Sequence, residues 1–399
     1  MKIRSLETYK ITLPFRFSFG HSLASRKESS NLIVKITLDN GICGYGEGVP
    51  RDYVTGESIE QAENNVLTQY APHVLGIPMD NPYSVFKSLR QSFDELGLRE
   101  KPQGASWCAL ELAMLDACSK LLGKQVWEML GVAQRNKIRY GGVLPFGKKK
   151  ALKAALYFYK FYGFQTVKIK VGTGSLEDDV SKLQIARKIL GPDCILRVDA
   201  NCAWNLEEGL KAAEAFRAFS VKSYEQPFPA EDWDALKKFA DAVPEDLIVD
   251  ESLCTLNQAK RLVEEKICDA FNVRVSKAGG LLAAKQMVEL ALSHGLRVHL
   301  GAQVGESGIL SAAARHLAIT LPALENYEGS ANFFLLKKDI CKENLNVGPG
   351  GFGDMHFASK KNGFGLRIDE RSLISMSEGS NDLACETAQN SALMQQEVG

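Results

Sequence analysis

Three acidic residues recur at nearly one interval along the chain: Asp199 in Arg197-Val-Asp-Ala-Asn201, Glu225 in Tyr224-Glu-Gln-Pro227 and Asp250 in Val249-Asp-Glu-Ser252, 26 and 25 residues apart. Each ends a short apolar run of strand type (residues 194–198, 219–224 and 247–249) and precedes a helix-like stretch, which is how successive strands of a parallel barrel read. Such strands bring their C-terminal ends to one mouth. Three carboxylates converging there repel one another unless a hard divalent cation lies between them, and oxygen-only ligation with room for substrate suits Mg²⁺.

The rest of the chain extends the pattern. Strand candidates begin at Ile138, Thr166, Ile195, Val221, Leu247, Ala270, Arg297 and Ala323, and eight parallel strands make a barrel. The intervening helices are amphipathic; in residues 206–219, Leu206, Leu210, Ala213, Ala215, Phe216 and Phe219 are placed on one side. Ahead of the barrel, residues 6–13, 32–38 and 43–48 read as strands, with a hairpin signal at Asn40-Gly41. Helix-like segments follow over 58–75 and 81–96, and a longer apolar-periodic one runs from Ser106 toward Gly123. This is an α+β module in its own right. After residue 335 the chain turns rich in Gly, Pro and Asn, and we expect it to return to the N-terminal module. Residues 375–399 are polar and unpatterned, so disorder is the expectation there.

A chain of 399 residues is long enough for one large domain and a smaller one. Forty-eight basic residues balance forty-eight acidic ones, leaving no electrostatic footprint for nucleic acid or an anionic membrane. No apolar stretch reaches the roughly 18 residues of a membrane span, and the N-terminus reads as a strand rather than a signal peptide. Nine scattered cysteines without a Cys-x-x-Cys pair read as reduced thiols of a cytoplasmic enzyme; Cys202 lacks an accompanying histidine that would make it a nucleophile.

One strand before Asp199, Lys168 and Lys170 alternate so that both point into the barrel mouth. Two ammonium groups that close depress each other's pKa, which leaves one neutral enough to remove a proton. The competing reading is a solvated strand-end pair. Beside three metal-type acids the pair becomes a base facing a substrate whose carboxylate binds the metal, with Mg²⁺ neutralising the enediolate that forms.

The order Lys168-x-Lys170, Asp199 with Asn201, Glu225-Gln-Pro227, Asp250-Glu-Ser252, then Asn272-Val-Arg274 and Lys277-Ala-Gly-Gly280, with Gly44 to Gly48 and Asp116 earlier, resembles the enolase superfamily in its muconate lactonizing enzyme subgroup. The likeness covers residues 1 to about 370 and takes in dipeptide epimerases, muconate cycloisomerases and o-succinylbenzoate synthases. It implies an α/β fold: a modified TIM barrel, (β/α)₇β, over residues 126–335, capped by an α+β domain formed from residues 1–125 and a C-terminal segment, 336–374. It also implies that Asp199, Glu225 and Asp250 bind Mg²⁺, that Lys170 is the base and Lys168 tunes it, and that Asn201 and Glu251 flank the ligands.

This chain departs from the resemblance at Arg274, where proton-transferring members of the subgroup carry lysine. Arginine is a poor general base. Arg274 is left to hold a planar carboxylate, or to form a structural ion pair with an acid of the ring. Lys277 reads either as a contact of that region or as a solvated loop lysine. Glu306 sits at the barrel mouth or caps the helix that follows it. His299, flanked by Val298 and Leu300, reads as a core histidine, and the other histidines show no metal spacing. The cap loops, residues 16–27 and 50–57, carry His21, Arg26, Arg51, Tyr53 and Thr55, which suit a polar or anionic substrate tail. Glu328 is a lone acid where dipeptide-epimerising relatives carry a pair.

The expectation is a Mg²⁺-dependent enzyme that removes the α-proton of a small carboxylate substrate, an isomerase of the cycloisomerase or epimerase kind. A dehydratase or o-succinylbenzoate-synthase-like lyase is the alternative, and a silent carboxylate-binding paralogue the rival of another class. Barrels of this sort often self-associate, so a homo-oligomer is compatible with the sequence.

Overall fold

The computed structural model describes residues 1–21, 24–144, 149–359 and 361–384. The chain opens with a long hairpin, β1 (Ile3–His21) and β2 (Ala24–Leu38), extended by β3 (Cys43–Gly48). The first two strands stay paired far beyond the apolar runs that mark them in the sequence. Register is regular from Ser5↔Thr37 to Pro14↔Glu28, slips, and resumes at Phe19↔Arg26. Pro14 has no N–H to donate, which accounts for a break at that point. Much of the stretch expected as a cap loop is therefore an extended arm.

Helix Gly104–Leu121 packs against β3 so closely that side chains are excluded. A Cβ built on Gly44, Gly46 or Gly48 would lie 2.1, 2.0 or 2.0 Å from the carbonyl oxygens of Ala113, Ala109 and Ala105. Alternate glycines on the strand thus face alanines one helical turn apart, the two periods in register.

Next, β4 (Lys137–Arg139) pairs antiparallel with β13 (Phe352–Asp354). The segment expected to open the barrel is therefore an outside ribbon. The barrel begins at β5 (Gly142–Leu144), whose glycines hide it from an apolar-run reading, and continues through β6 (Thr166–Lys170), β7 (Ile195–Asp199) and β8 (Val221–Glu225). It is completed by β9 (Asp246–Val249), β10 (Ala270–Arg274), β11 (Arg297–Gly301) and β12 (Asn326–Tyr327). These eight strands form one parallel sheet in sequence order, and helices connect each to the next. A parallel bridge between Tyr140 and Tyr327, with the Gly141 N–H donating to the Tyr327 carbonyl at 2.8 Å, joins the two ends. The architecture is the expected (β/α)₇β barrel with an antiparallel cap. On helix Leu206–Phe216 the buried face is Gly209, Ala212, Ala213 and Phe216, while Leu210 is exposed, contrary to the sequence pattern.

Expected disorder from residue 375 is contradicted at its start: β14 (Ser377–Ala384) pairs with β1, from Ile11↔Ser377 to Ser5↔Ala384. Its side chains are almost all exposed, so main-chain bonding to a sheet edge makes this strand, without any apolar alternation. The remaining tail lies outside the described residues.

Cap and barrel are joined by buried carboxylates at helix N-termini, where unpaired N–H groups need acceptors. Glu47 of β3 accepts from the N–H groups of Ser307 and Leu310 at 2.8 and 3.0 Å, at the start of helix Gly308–Thr320. Glu111 accepts from the Leu282 N–H at 3.1 Å, at the start of helix Leu281–Ser293. Glu57 holds the Ala105 N–H at 3.0 Å.

Two predictions follow from this packing. Gly46→Ala forces a methyl onto the Ala109 carbonyl and should cost about 2 kcal/mol or more, read as a lower denaturant midpoint with unchanged slope. Burial raises Glu57 from 4.5 to about 7 against its hydrogen bonds. The folded protein then holds this proton more tightly than the unfolded chain, so the contribution is present below pH 4.5 and lost as pH rises through about 7. In denaturant titrations across that range Glu57→Gln should show a shallower loss of stability with rising pH than the native chain.

Candidate active site

Parallel register sets the acids and lysines level with one another: Lys170 aligns with Asp199, and Asp199 with Glu225. Asp250 and Glu251 follow β9 directly, their turn held by Gln226, whose Oε1 accepts from the N–H groups of Asp250 and Ser252 at 2.9 and 3.1 Å. Gln226 itself adopts φ +35° and Asn201 φ +45°, so the strand-to-helix turns beside the site lie in the left-handed region.

Each lysine and arginine described in this layer is paired with a carboxylate. Lys170 Nζ lies 2.8 Å from Asp199 Oδ2 and also bonds Asn201 Oδ1. Lys168 Nζ is 2.7 Å from Glu225 Oε1, 2.7 Å from Glu328 Oε2 and 3.7 Å from Asp199. Arg197 bridges Glu225 and Glu328, each at 2.8 Å. Arg274 pairs with Asp250 and donates to Gln303 Oε1 at 2.7 Å. Lys277 Nζ lies 2.7 Å from Asp250 Oδ1 and 3.1 Å from the Asn272 carbonyl.

A cavity of about 660 Å³ opens above this network, between barrel and cap. Lys168, Lys170, Asp199, Asn201 and Glu251 line it from the first strands, and Arg274, Glu306 and Glu328 from the later ones. The cap adds Arg51 and Tyr53 from the 50–57 segment, and Phe17 and Arg26 from the hairpin arm. Glu225, Asp250 and Lys277 are not among the lining residues.

One expectation changes, and three open readings narrow. Burial acts to lower the Lys168 pKa, but Glu225, Glu328 and Asp199 outweigh it and raise it, so the anticipated depression of this lysine by its neighbour does not occur. Lys277 is fully buried in the turn Val275–Ala278 and bound to Asp250, where a solvated loop lysine had been an open reading. Glu306 does not cap the following helix; Ser307 does, its Oγ accepting from Ile309 N–H at 3.1 Å, while Glu306 accepts from the Gln303 N–H at 2.6 Å. Arg274 takes the ion-pair role and lines the cavity as well. His299 is buried, with its pKa pushed well below the ordinary value by burial and by Arg197, and it does not line the cavity. Burial also pushes the Cys202 thiol up, which removes it as a nucleophile. His21, named with the cap loops, has no described side chain.

The sequence reading missed Arg197, Gln226, Asn272 and Gln303. Arg197 was detectable: two residues before Asp199 on one strand, it had to share that face. Asn272 donates to Glu225 Oε1 at 2.8 Å.

Among the described residues no three acidic, histidine or cysteine side chains close on one point at ligand distances. The three strand-end acids are each turned to an ammonium or guanidinium. Their chemistry nonetheless suits a hard cation: the donors are all oxygen, and Glu251 Oε2 and Asp250 Oδ2 are buried without accepting a hydrogen bond, the latter meeting only the Arg274 guanidinium.

Fold and cavity together define an α/β-barrel enzyme with an α+β cap. Residues 4–131 match the Mandelate racemase / muconate lactonizing enzyme, N-terminal domain, and residues 150–372 match the Enolase C-terminal domain-like family. The chain belongs to this family, the muconate lactonizing enzyme subgroup of the enolase superfamily. It is 29% identical over 384 residues to N-succinyl-L-Arg/Lys racemase of Bacillus cereus, covering 94% of this chain and 97% of the racemase. The crystal structure of that racemase superposes with a TM-score of 0.87 at 27% identity, over 96% of this chain and 100% of the other. L-Ala-D/L-Glu epimerase of Thermotoga maritima is 30% identical over 350 residues, 86% of this chain and 95% of the epimerase. The dipeptide epimerase of Cytophaga hutchinsonii, crystallised with Mg and the dipeptide D-Ala-L-Val, shares the fold with a TM-score of 0.84 at 24% identity, over 96% of this chain and 100% of that one. The protein is an enzyme whose relatives are racemases, epimerases and cycloisomerases. No helix among the described residues is long and apolar enough to cross a membrane.

Arg197 tests the charge layer. Replacing it with leucine strands Glu225 and Glu328 on one side, and should lower stability by about 3–5 kcal/mol in equilibrium denaturation.

Proposed function

We propose that this enzyme is a Mg²⁺-dependent isomerase acting on the α-proton of a small carboxylate substrate. The observation that carries the reading is the placement of Lys168 and Lys170 on one cavity wall beside a row of strand-end acids, in a chain whose relatives invert or isomerise carbon acids. Asp199, Glu225 and Asp250 would hold the ion, with Asn201 and Glu251 beside them. Bound Mg²⁺ supplies positive charge against the anion that develops when the α-proton leaves.

Lys170 takes the α-proton, or in the reverse direction delivers it, as the bond from the β-carbon to its substituent breaks or forms. Lys168, kept protonated by its acids, is the fixed charge next to it. A guanidinium is a poor general base, and the fork of Arg274 is turned to Asp250 and Gln303. Proton traffic therefore runs on one face of the substrate, through Lys170, and Arg274 stabilises negative charge from the other. This favours a one-base cycloisomerisation, in which a β-substituent adds or leaves on the same molecule as the α-proton moves, over a two-lysine epimerisation, and the same geometry supports β-elimination in a lyase.

Exchange of the substrate α-hydrogen in D₂O with Mg²⁺ is the direct test, across N-succinyl amino acids, dipeptides and other α-substituted carboxylates. We expect deuterium on one face only, loss of exchange on chelation, and a fall of roughly 10²–10⁴-fold in Lys170→Ala. Binding of Mg²⁺ without exchange in any carboxylate would instead make the protein a silent binder.

A further inference from the structure

The cavity is wider than the charged site needs. In β5, Val143 aligns with Lys168 and shares its face, so Gly142 and Leu144 face the opposite way, toward helix Lys149–Tyr162. The cavity is nonetheless lined on both sides of this strand: by Lys168 and Lys170 in the barrel, and by Leu152, Ala155, Phe158 and Tyr159 of the helix. Only Leu152 and Leu156 of that helix are buried, so its inner face is not packed shut.

Gly142 lets the Tyr159 ring lie against the strand and form part of the cavity wall. A Cβ there would stand 2.8 Å from the Tyr159 ring. Tyr159 spends its hydroxyl on the Val143 carbonyl at 2.8 Å and presents only ring to the cavity. Tyr159 packs on Phe164 with centroids 4.9 Å apart, and Phe158 on Phe334 at 5.7 Å. None of the described residues that line the cavity from this helix is charged, whereas the barrel mouth and cap supply the charges that line it.

We propose that this side lobe is a binding site for an extended apolar substituent of the substrate, an acyl chain or aromatic group held away from the reacting carboxylate. Continuity with the lysine wall commits the lobe to the substrate itself: a carboxylate anchored at the mouth can lay its apolar end between β5 and the helix. The inference rests on the reading of the mouth as a carboxylate site and names the class of carboxylate it takes.

Titration calorimetry of the full chain with Mg²⁺ and a series of N-acyl-alanines, from acetyl through butanoyl and hexanoyl to octanoyl, tests the lobe. Affinity should rise about three- to fourfold per buried methylene. Ala155→Trp and Ala151→Trp, which fill the lobe from the helix, should abolish the rise while leaving N-acetyl-alanine binding within twofold. A flat series in the native chain, no binding by the octanoyl member, or a rise that persists in both variants overturns the proposal. Chain-length-dependent binding without any α-hydrogen exchange would instead sink the proton-transfer reading and leave the lobe standing.

Discussion

Moving a carboxylate from water into the mouth of a barrel costs several kcal/mol unless a cation or a set of donors replaces its hydration, and that cost orders the upper layer of this molecule. Asp199, Glu225, Asp250 and Glu328 are buried, and each touches at least one of Lys168, Lys170, Arg197, Arg274 and Lys277. Glu251 has no such cation within contact among the described residues; burial and the neighbouring Asp199 push it up to about 7. The pairs alternate around the strands, so that Glu225 alone is shared by Lys168, Arg197 and Asn272. Such a layer has little freedom to rearrange one group at a time: displacing Glu225 takes an acceptor from Lys168, Arg197 and Asn272 at once.

The same economy joins the two parts of the fold. Glu47, Glu57 and Glu111 all come from the N-terminal module, and each satisfies the first N–H groups of a helix. Two of those helices belong to the barrel, so the cap docks through acceptors that the barrel helices require. Asp116 adds a tie to the C-terminal segment, accepting from the N–H groups of Tyr45 and Phe364 at 3.0 and 2.9 Å. With apolar packing alone the cap would have many near-equivalent seats. Directed hydrogen bonds at helix ends select one.

Features fixed by side-chain period were legible in the sequence. Strand, acid and helix repeat through Asp199, Glu225 and Asp250, and the alternation of Lys168 and Lys170 places both on one face, as observed. Features fixed by the main chain or by space were not. Strand β14 bonds through its backbone with its side chains in water, and so leaves no apolar trace. Gly142 opens the first barrel strand for the sake of the Tyr159 ring, where a run of apolar residues pointed instead to Ile138. Lys277 precedes Gly279 and Gly280, which suggests a solvated loop; in space that turn lies under Asp250, and Gly280 is needed because a Cβ there would stand 2.3 Å from the Glu111 carboxylate.

Arg274 gains its meaning from the loop it reaches. Its guanidinium spans Asp250 and Gln303, a reach and planarity that an ammonium lacks. Gln303 in turn donates its N–H to Glu306, and the carbonyls of Val304 and Gly305 accept from Arg51 and Asn31 of the cap at 3.2 and 2.9 Å. Glu47 completes the seam at Ser307. One short loop after β11 is therefore held from below by the charged layer and from above by the recognition face. Arg51 and Tyr53 line the cavity from the cap, and Arg274 lines the same cavity from the barrel. Because both arginines bond this loop, the position of the cationic group across from Lys170 is set jointly by barrel and cap, and the cap is part of the device that aims it.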